Sequence, residues 1–140
     1  MFYVDTSVLV AALVVEAHSD RVVDWLGEQP SQTLHTSDWS ITEFSSALSV
    51  KMRTGQIGPD QRAFALAAFA NLIDESFNIL PISANHFHLA ARFADRHDLS
   101  IKAGDALHAA IASDNQVTLC TLDRRLAKAG SVLGVMTHLL

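Results

Sequence analysis

The chain has 140 residues, 49% of them apolar and 18% charged, with six Gly and three Pro. That balance excludes disordered, collagen-like and coiled-coil classes, and a chain of this length folds without a metal or disulfide staple. Ten Lys and Arg against fifteen Asp and Glu leave a net charge of −5, which argues against simple electrostatic capture of a polyanion.

Phe2-Tyr3-Val4 is a short aromatic and β-branched run, and it ends at Asp5-Thr6-Ser7, residue types that cap helices. A buried helix is expected over Ser7–Glu16, and a second through Val22, Trp25 and Leu26 to Gln29, closed by Pro30-Ser31. Thr33–Thr36 reads as the second strand. Ile41, Phe44, Leu48 and Met52 then share one helical stripe that Gly55 closes, and Ser40-Ile41-Thr42-Glu43 fits a capping box. Gly58-Pro59-Asp60 opens a helix with Ala65, Phe69, Leu72 and Ile73 on one face.

Phe77–Leu80 reads as a third strand, and Ser83 caps a helix whose apolar face is Phe87, Ala90, Ala91 and Ala94, with Phe93 off that stripe. Ala103–Asn115 is an Ala-rich helix, Val117–Thr121 a fourth strand, Asp123–Ala129 a short helix and Val132–Met136 a last strand. Strands that alternate with helices predict an α/β fold: a three-layer α/β/α sandwich around a mostly parallel five-stranded sheet. The longest unbroken apolar run, Val8–Val15, falls far short of the ~20 residues that cross a bilayer. The N-terminus lacks the basic lead-in of a signal peptide, and Cys120 has no second cysteine to pair with. One soluble, cytoplasmic domain over residues 1–140 is expected, with no membrane association.

Charge is uneven along the chain. Residues 1–89 hold four basic and ten acidic side chains, residues 90–130 six basic and five acidic. Four of the acids fall at equivalent places: Asp5 ends the first strand, Glu43 and Asp105 lie early in helices, and Asp123 follows the fourth strand. In an open parallel sheet these places share one edge, where ligands bind. Carboxylates forced together repel, and a hard divalent cation removes that cost while leaving positions open for phosphate oxygens. Such a site suits phosphodiester hydrolysis. Each acid taken alone also fits plain capping, worth ~0.3–1 kcal/mol against the helix dipole, so pattern alone leaves both readings open. On a helical wheel Glu43 falls with Ala47 and Val50, away from the polar arc of Thr42, Ser45, Ser46 and Ser49. Such neighbours leave a carboxylate in need of a partner or a cation.

Val4-Asp5-Thr6-Ser7-Val8-Leu9, a Glu in the Ser40–Leu48 helix, Gly104-Asp105-Ala106-Leu107-His108-Ala109-Ala110 and Leu119-Cys120-Thr121-Leu122-Asp123-Arg124-Arg125-Leu126 together resemble PIN-domain proteins, and most of all the VapC-type ribonuclease toxins of bacterial toxin–antitoxin pairs. The resemblance runs over nearly the whole chain. It implies a PIN-like fold and metal-dependent endoribonuclease activity with Mg²⁺ (or Mn²⁺), inhibited by a cognate VapB-type antitoxin. Asp5, Glu43, Asp105 and Asp123 match the family's four acids as metal and catalytic residues, with Asp5 and Asp105 the most direct ligands. Thr6, Ser7 and Thr121 match its supporting hydroxyls. All four acids are expected to meet in one pocket and grip one ion together.

Other residues are weighed against blander roles. His108, three residues after Asp105, shares its helix face and reads first as packing, second as a residue behind the metal ligands or against substrate. His86 and His88 point to different faces, which disfavours zinc. Arg124, Arg125 and Lys102 read as solvated bases before RNA contacts, and Phe64, Phe69, Phe87 and Phe93 as core or interface. Surplus apolar positions around Phe44, Met52, Phe64 and Phe69 fit a homodimer and an antitoxin groove, or simply a larger core. The alternative function is a non-catalytic PIN-fold module that binds RNA or a partner. A phospho-acceptor receiver domain is disfavoured, because Asp5 is followed by Thr6-Ser7 and Leu80 by Pro81.

Overall fold

The computed structural model describes residues 1–140. β1 (Phe2–Val4) stands at the centre of a sheet of order β3-β2-β1-β4-β5, where β2 is Leu34–Thr36, β3 Asn78–Ile79, β4 Thr118–Thr121 and β5 Thr137–Leu139. Every pairing is parallel; Tyr3 lies opposite His35 on one side and Leu119 on the other. The chain therefore builds outward from β1 in one direction, then returns and builds in the other. The crevice at the carboxyl ends of β1 and β4 is the point where strand order reverses, the place such sheets use for ligands.

Parallel strands need long crossovers. α1 (Thr6–Leu13) and α2 (Ser19–Glu28) join β1 to β2; α3 (Trp39–Arg53) and α4 (Pro59–Ser76) join β2 to β3. α5 (Ala84–Ala94) and α6 (Ala103–Asp114) lead to β4, and α7 (Arg124–Val132) joins β4 to β5. Side chains alternate across a strand, so each sheet face receives its own core. Val4, Leu34 and Cys120 pack with Val8 and Leu9 of α1, Phe44 and Leu48 of α3, and Phe69 of α4. Tyr3 and Leu119 pack on the opposite face with Phe93 of α5, Ile111 of α6 and Leu126 of α7. The expected sandwich of helices, sheet and helices is the observed one.

Helix boundaries follow local chemistry. Asp5 caps α1 by accepting from the amides of Ser7 (3.0 Å) and Val8 (3.3 Å), and Asp123 caps α7 through those of Arg125 (2.7 Å) and Leu126 (3.1 Å). α3 is closed just beyond its end by Gly55, whose φ of +72° lets the Gln56 amide reach back to the Lys51 carbonyl and its own to Met52.

Several expected boundaries are corrected. α1 stops at Leu13, with Val14 extended; the Ser19 hydroxyl, bonded to Val14 O and Glu16 N, holds the turn. Ser40 is no capping residue: α3 starts one residue earlier, and the buried Ser40 hydroxyl lies 2.7 Å from Thr36 Oγ1. Asp105 is likewise inside α6, whose N-cap position is Lys102. The apolar face of α5 is rotated from the expected one, burying His86, Ala90 and Phe93 and leaving Phe87 57% exposed. Val132–Met136 is not a strand, since α7 runs through Val132 and β5 begins at Thr137 after Gly134 turns with φ +78°. No helix is long and apolar enough to cross a membrane.

Candidate active site

The topology brings all four singled-out acids to one place. Asp5, Glu43, Asp105 and Asp123 line a single cavity of about 640 Å³ together with Thr6, Ser7 and His108. Asp5 leaves the end of β1, Asp123 follows β4, Glu43 projects from α3, and Asp105 sits in the first turn of α6.

Asp5 is 3% exposed. Its Oδ1 takes three hydrogen bonds, from the Ser7 and Val8 amides and from the Ser7 hydroxyl at 2.5 Å; Oδ2 takes none of these. Burial pushes its carboxyl above the usual carboxylate range, and the His108 ring and the Ser7 and Thr121 hydroxyls only partly offset that. Asp105 is also raised, first by burial and then by the charge of Asp123, with Asp5 and Glu43 adding to it. The acids feel one another's charge.

Glu43 behaves differently. Burial pushes it up, but the His108 ring, the Thr6 hydroxyl and Trp39 outweigh that and hold its carboxyl below the usual range. Thr6 Oγ1 donates to Oε2 at 2.7 Å, and His108 Nε2 bonds to the same oxygen. Thr121 Oγ1 accepts from the Asp123 amide at 3.0 Å and lies 3.5 Å from Ser7 Oγ, which itself accepts from the Leu122 amide. The three hydroxyls thus stitch β1, α1 and β4 around the acids.

No three His, Cys, Asp or Glu side chains stand close enough to hold one ion by themselves, which departs from the expectation of a joint four-acid grip. The donor set still fits Mg²⁺, which keeps several waters and uses one or two carboxylates with substrate phosphates. A buried carboxylate that its neighbours offset only in part, next to a second carboxylate raised by its own neighbours, is the chemistry a hard dication relieves.

Lys51, Glu16 and His18 line the same cavity, and sequence patterning did not single them out. Lys51 is the sole Lys or Arg among the lining residues and is ion-paired with Glu16. The signal was present: Glu43, Ala47 and Lys51 recur every four residues on α3, so they share a face. Arg124, Arg125 and Lys102 are exposed and outside the cavity lining, as are Phe64 and Phe87. Phe69 and Phe93 are core.

A family model described as the PIN domain matches residues 2–132. The chain belongs to the PIN-domain family. No curated protein matches it in sequence. Solved PIN-like structures match it over nearly their full length. The FitAcB structure from Neisseria gonorrhoeae is 21% identical, with 98% of this chain and 96% of that chain covered and a TM-score of 0.69. VapC20 of Mycobacterium tuberculosis, a sarcin-ricin-loop-cleaving toxin, is 19% identical with 97% of each chain covered and a TM-score of 0.75. VapBC2 from Rickettsia felis, bound to a DNA fragment from its promoter, is 18% identical, covers 99% and 98%, and has a TM-score of 0.69. At these identities the likeness is one of PIN fold.

Proposed function

We propose that this PIN-domain chain is a metal-dependent endoribonuclease toxin of a toxin–antitoxin pair. The observation that carries this reading is the convergence of Asp5, Glu43, Asp105 and Asp123 on one cavity at the switch point of the sheet. Membership of the PIN family and the fold shared with a toxin that cleaves the sarcin-ricin loop support it.

Asp5 and Asp105 are the metal ligands in this reading, with Glu43 and Asp123 acting through water. Bound Mg²⁺ supplies an activated water and stabilises charge on the leaving oxygen. The chain's own part is positioning. Ser7 and the first turn of α1 fix Asp5 through Oδ1; Thr6 holds Glu43; Thr121 fixes the start of the Asp123 turn. Lys51 offers a positive group for a substrate phosphate at the cavity wall.

The partner in this reading is a VapB-type antitoxin, by analogy with the FitAcB and VapBC2 structures, and two copies of the chain pair as a homodimer. The test is incubation of purified protein with total RNA in Mg²⁺, in Mn²⁺ and in EDTA, beside Asp5→Asn. Metal-dependent cleavage that Asp5→Asn abolishes supports the nuclease. RNA binding without cleavage in either metal favours the non-catalytic module.

A further inference from the structure

Glu43 sits in a clamp whose parts come from far away in the chain. His108 is 1% exposed and bonds Glu43 Oε2 through Nε2. Its other nitrogen, Nδ1, lies 2.8 Å from the hydroxyl of Tyr3, and that hydroxyl lies 2.6 Å from Ser37 Oγ. A carboxylate only accepts, so Nε2 carries a proton; in a singly protonated ring Nδ1 then accepts from Tyr3, which accepts from Ser37. All of Tyr3, Ser37 and His108 are buried. The chain of bonds runs from the sheet to Glu43 and fixes the ring's direction, as groups behind a metal ligand do.

The second oxygen of Glu43 is bounded by Gly104. A Cβ on Gly104 would stand 2.6 Å from Glu43 Oε1 and 3.2 Å from Trp39 Nε1. Gly104 lies in the first turn of α6 and has no positive φ, so its backbone does not require glycine. Alanine there would favour the helix. What glycine provides is room.

We propose that His108 and Gly104, flanking Asp105 on α6, are positioning residues that set the side chain of Glu43, His108 by holding Oε2 and Gly104 by leaving space for Oε1. This rests on the proposed nuclease function only for its catalytic consequence. One helix turn thereby delivers one acid to the pocket and fixes a second. Tyr3 supports the arrangement from β1, and Trp39, which helps to hold the Glu43 carboxyl below its usual range, lies against the same spot.

Two measurements test the clamp separately from the nuclease reading. The first is proton–nitrogen NMR of the histidine rings in metal-free protein. A solvent-protected Nε2–H signal of His108 is expected in the wild type, lost or strongly shifted in Glu43→Ala and displaced in Gly104→Ala. Its absence from the folded wild type overturns the clamp, whatever the protein does to RNA. The second is RNA cleavage with Tm measured alongside. Gly104→Ala is expected to keep a cooperative thermal transition while kcat falls about 10–100-fold with KM unchanged; His108→Gln, which can still donate, loses less than His108→Leu. In a Glu43→Ala background, Gly104→Ala should cost nothing further. Full wild-type kcat in Gly104→Ala, or additive losses in the double variant, overturns the proposal.

Discussion

Asp123 raises the proton affinity of Asp105, although the two stand in different helices, one as the cap of α7 and one in the first turn of α6. The termini of two helices therefore face one cavity, and carboxylates on both make it electrostatically crowded.

That crowding has a sign in the pH dependence of stability. Asp5 and Asp105 have folded-state pKa values raised above the usual range, so their favourable contribution is full at low pH, near pH 4 and below, and is lost as pH rises through the raised values. Glu43 is lowered; its contribution is present above the usual range and lost as pH falls through its depressed value. In EDTA, Asp105→Asn is expected to have a higher Tm than wild type at pH 7 and a flatter decline between pH 4 and 7. Parallel Tm curves for the two proteins would remove the shared-pocket electrostatics.

Mg²⁺ bound to the folded protein alone raises its stability by about 2.7 kcal/mol at a hundred times Kd. A rise in Tm of several degrees is expected for wild type in saturating Mg²⁺ or Mn²⁺. Asp5→Asn should retain α1, since Asn caps a helix as well as Asp, yet lose that rise and lower cleavage by at least ~100-fold. Thermal scans with and without metal, on both proteins, are the check.

Lys51 faces the cavity from α3, paired with Glu16. Lys51→Met is expected to raise KM for RNA several-fold with kcat little changed, and to lower the salt slope of binding by about one. An unchanged slope would assign Lys51 to the ion pair alone.

Cys120 is fully buried in β4, and burial, with the charge of Asp5, pushes its thiol up to about 12. Thiol reagents at pH 7.5 should leave folded protein unlabelled and modify it stoichiometrically in denaturant. Nuclease activity should survive prolonged exposure to the reagent.

What was readable in the sequence was what is local. The caps at Asp5 and Asp123 are set by amides two and three residues away. The α5 face was not readable, because alanines flank both candidate stripes. The choice depends on His86 finding Asp114, 28 residues on, at 3.0 Å. The partners of Glu43 lie 37 and 65 residues away, so its wheel position marked it as needing a partner without naming Thr6 or His108. Ser40 is a related case: Thr36, whose own hydroxyl donates to Val4 O on β1, takes up the hydroxyl that a cap would use.

The strand order has a consequence for biosynthesis. β1 is the first strand made, but its second neighbour, β4, comes from residues 118–121, and the last of the four acids comes just after it. A ribosome that has translated as far as Ser100 has produced β1, β2, β3 and five helices, yet neither Asp105 nor the far wall of the cleft. The acid cavity closes only once Asp123 has left the ribosome, so a chain cut short before it carries no assembled centre into the cell.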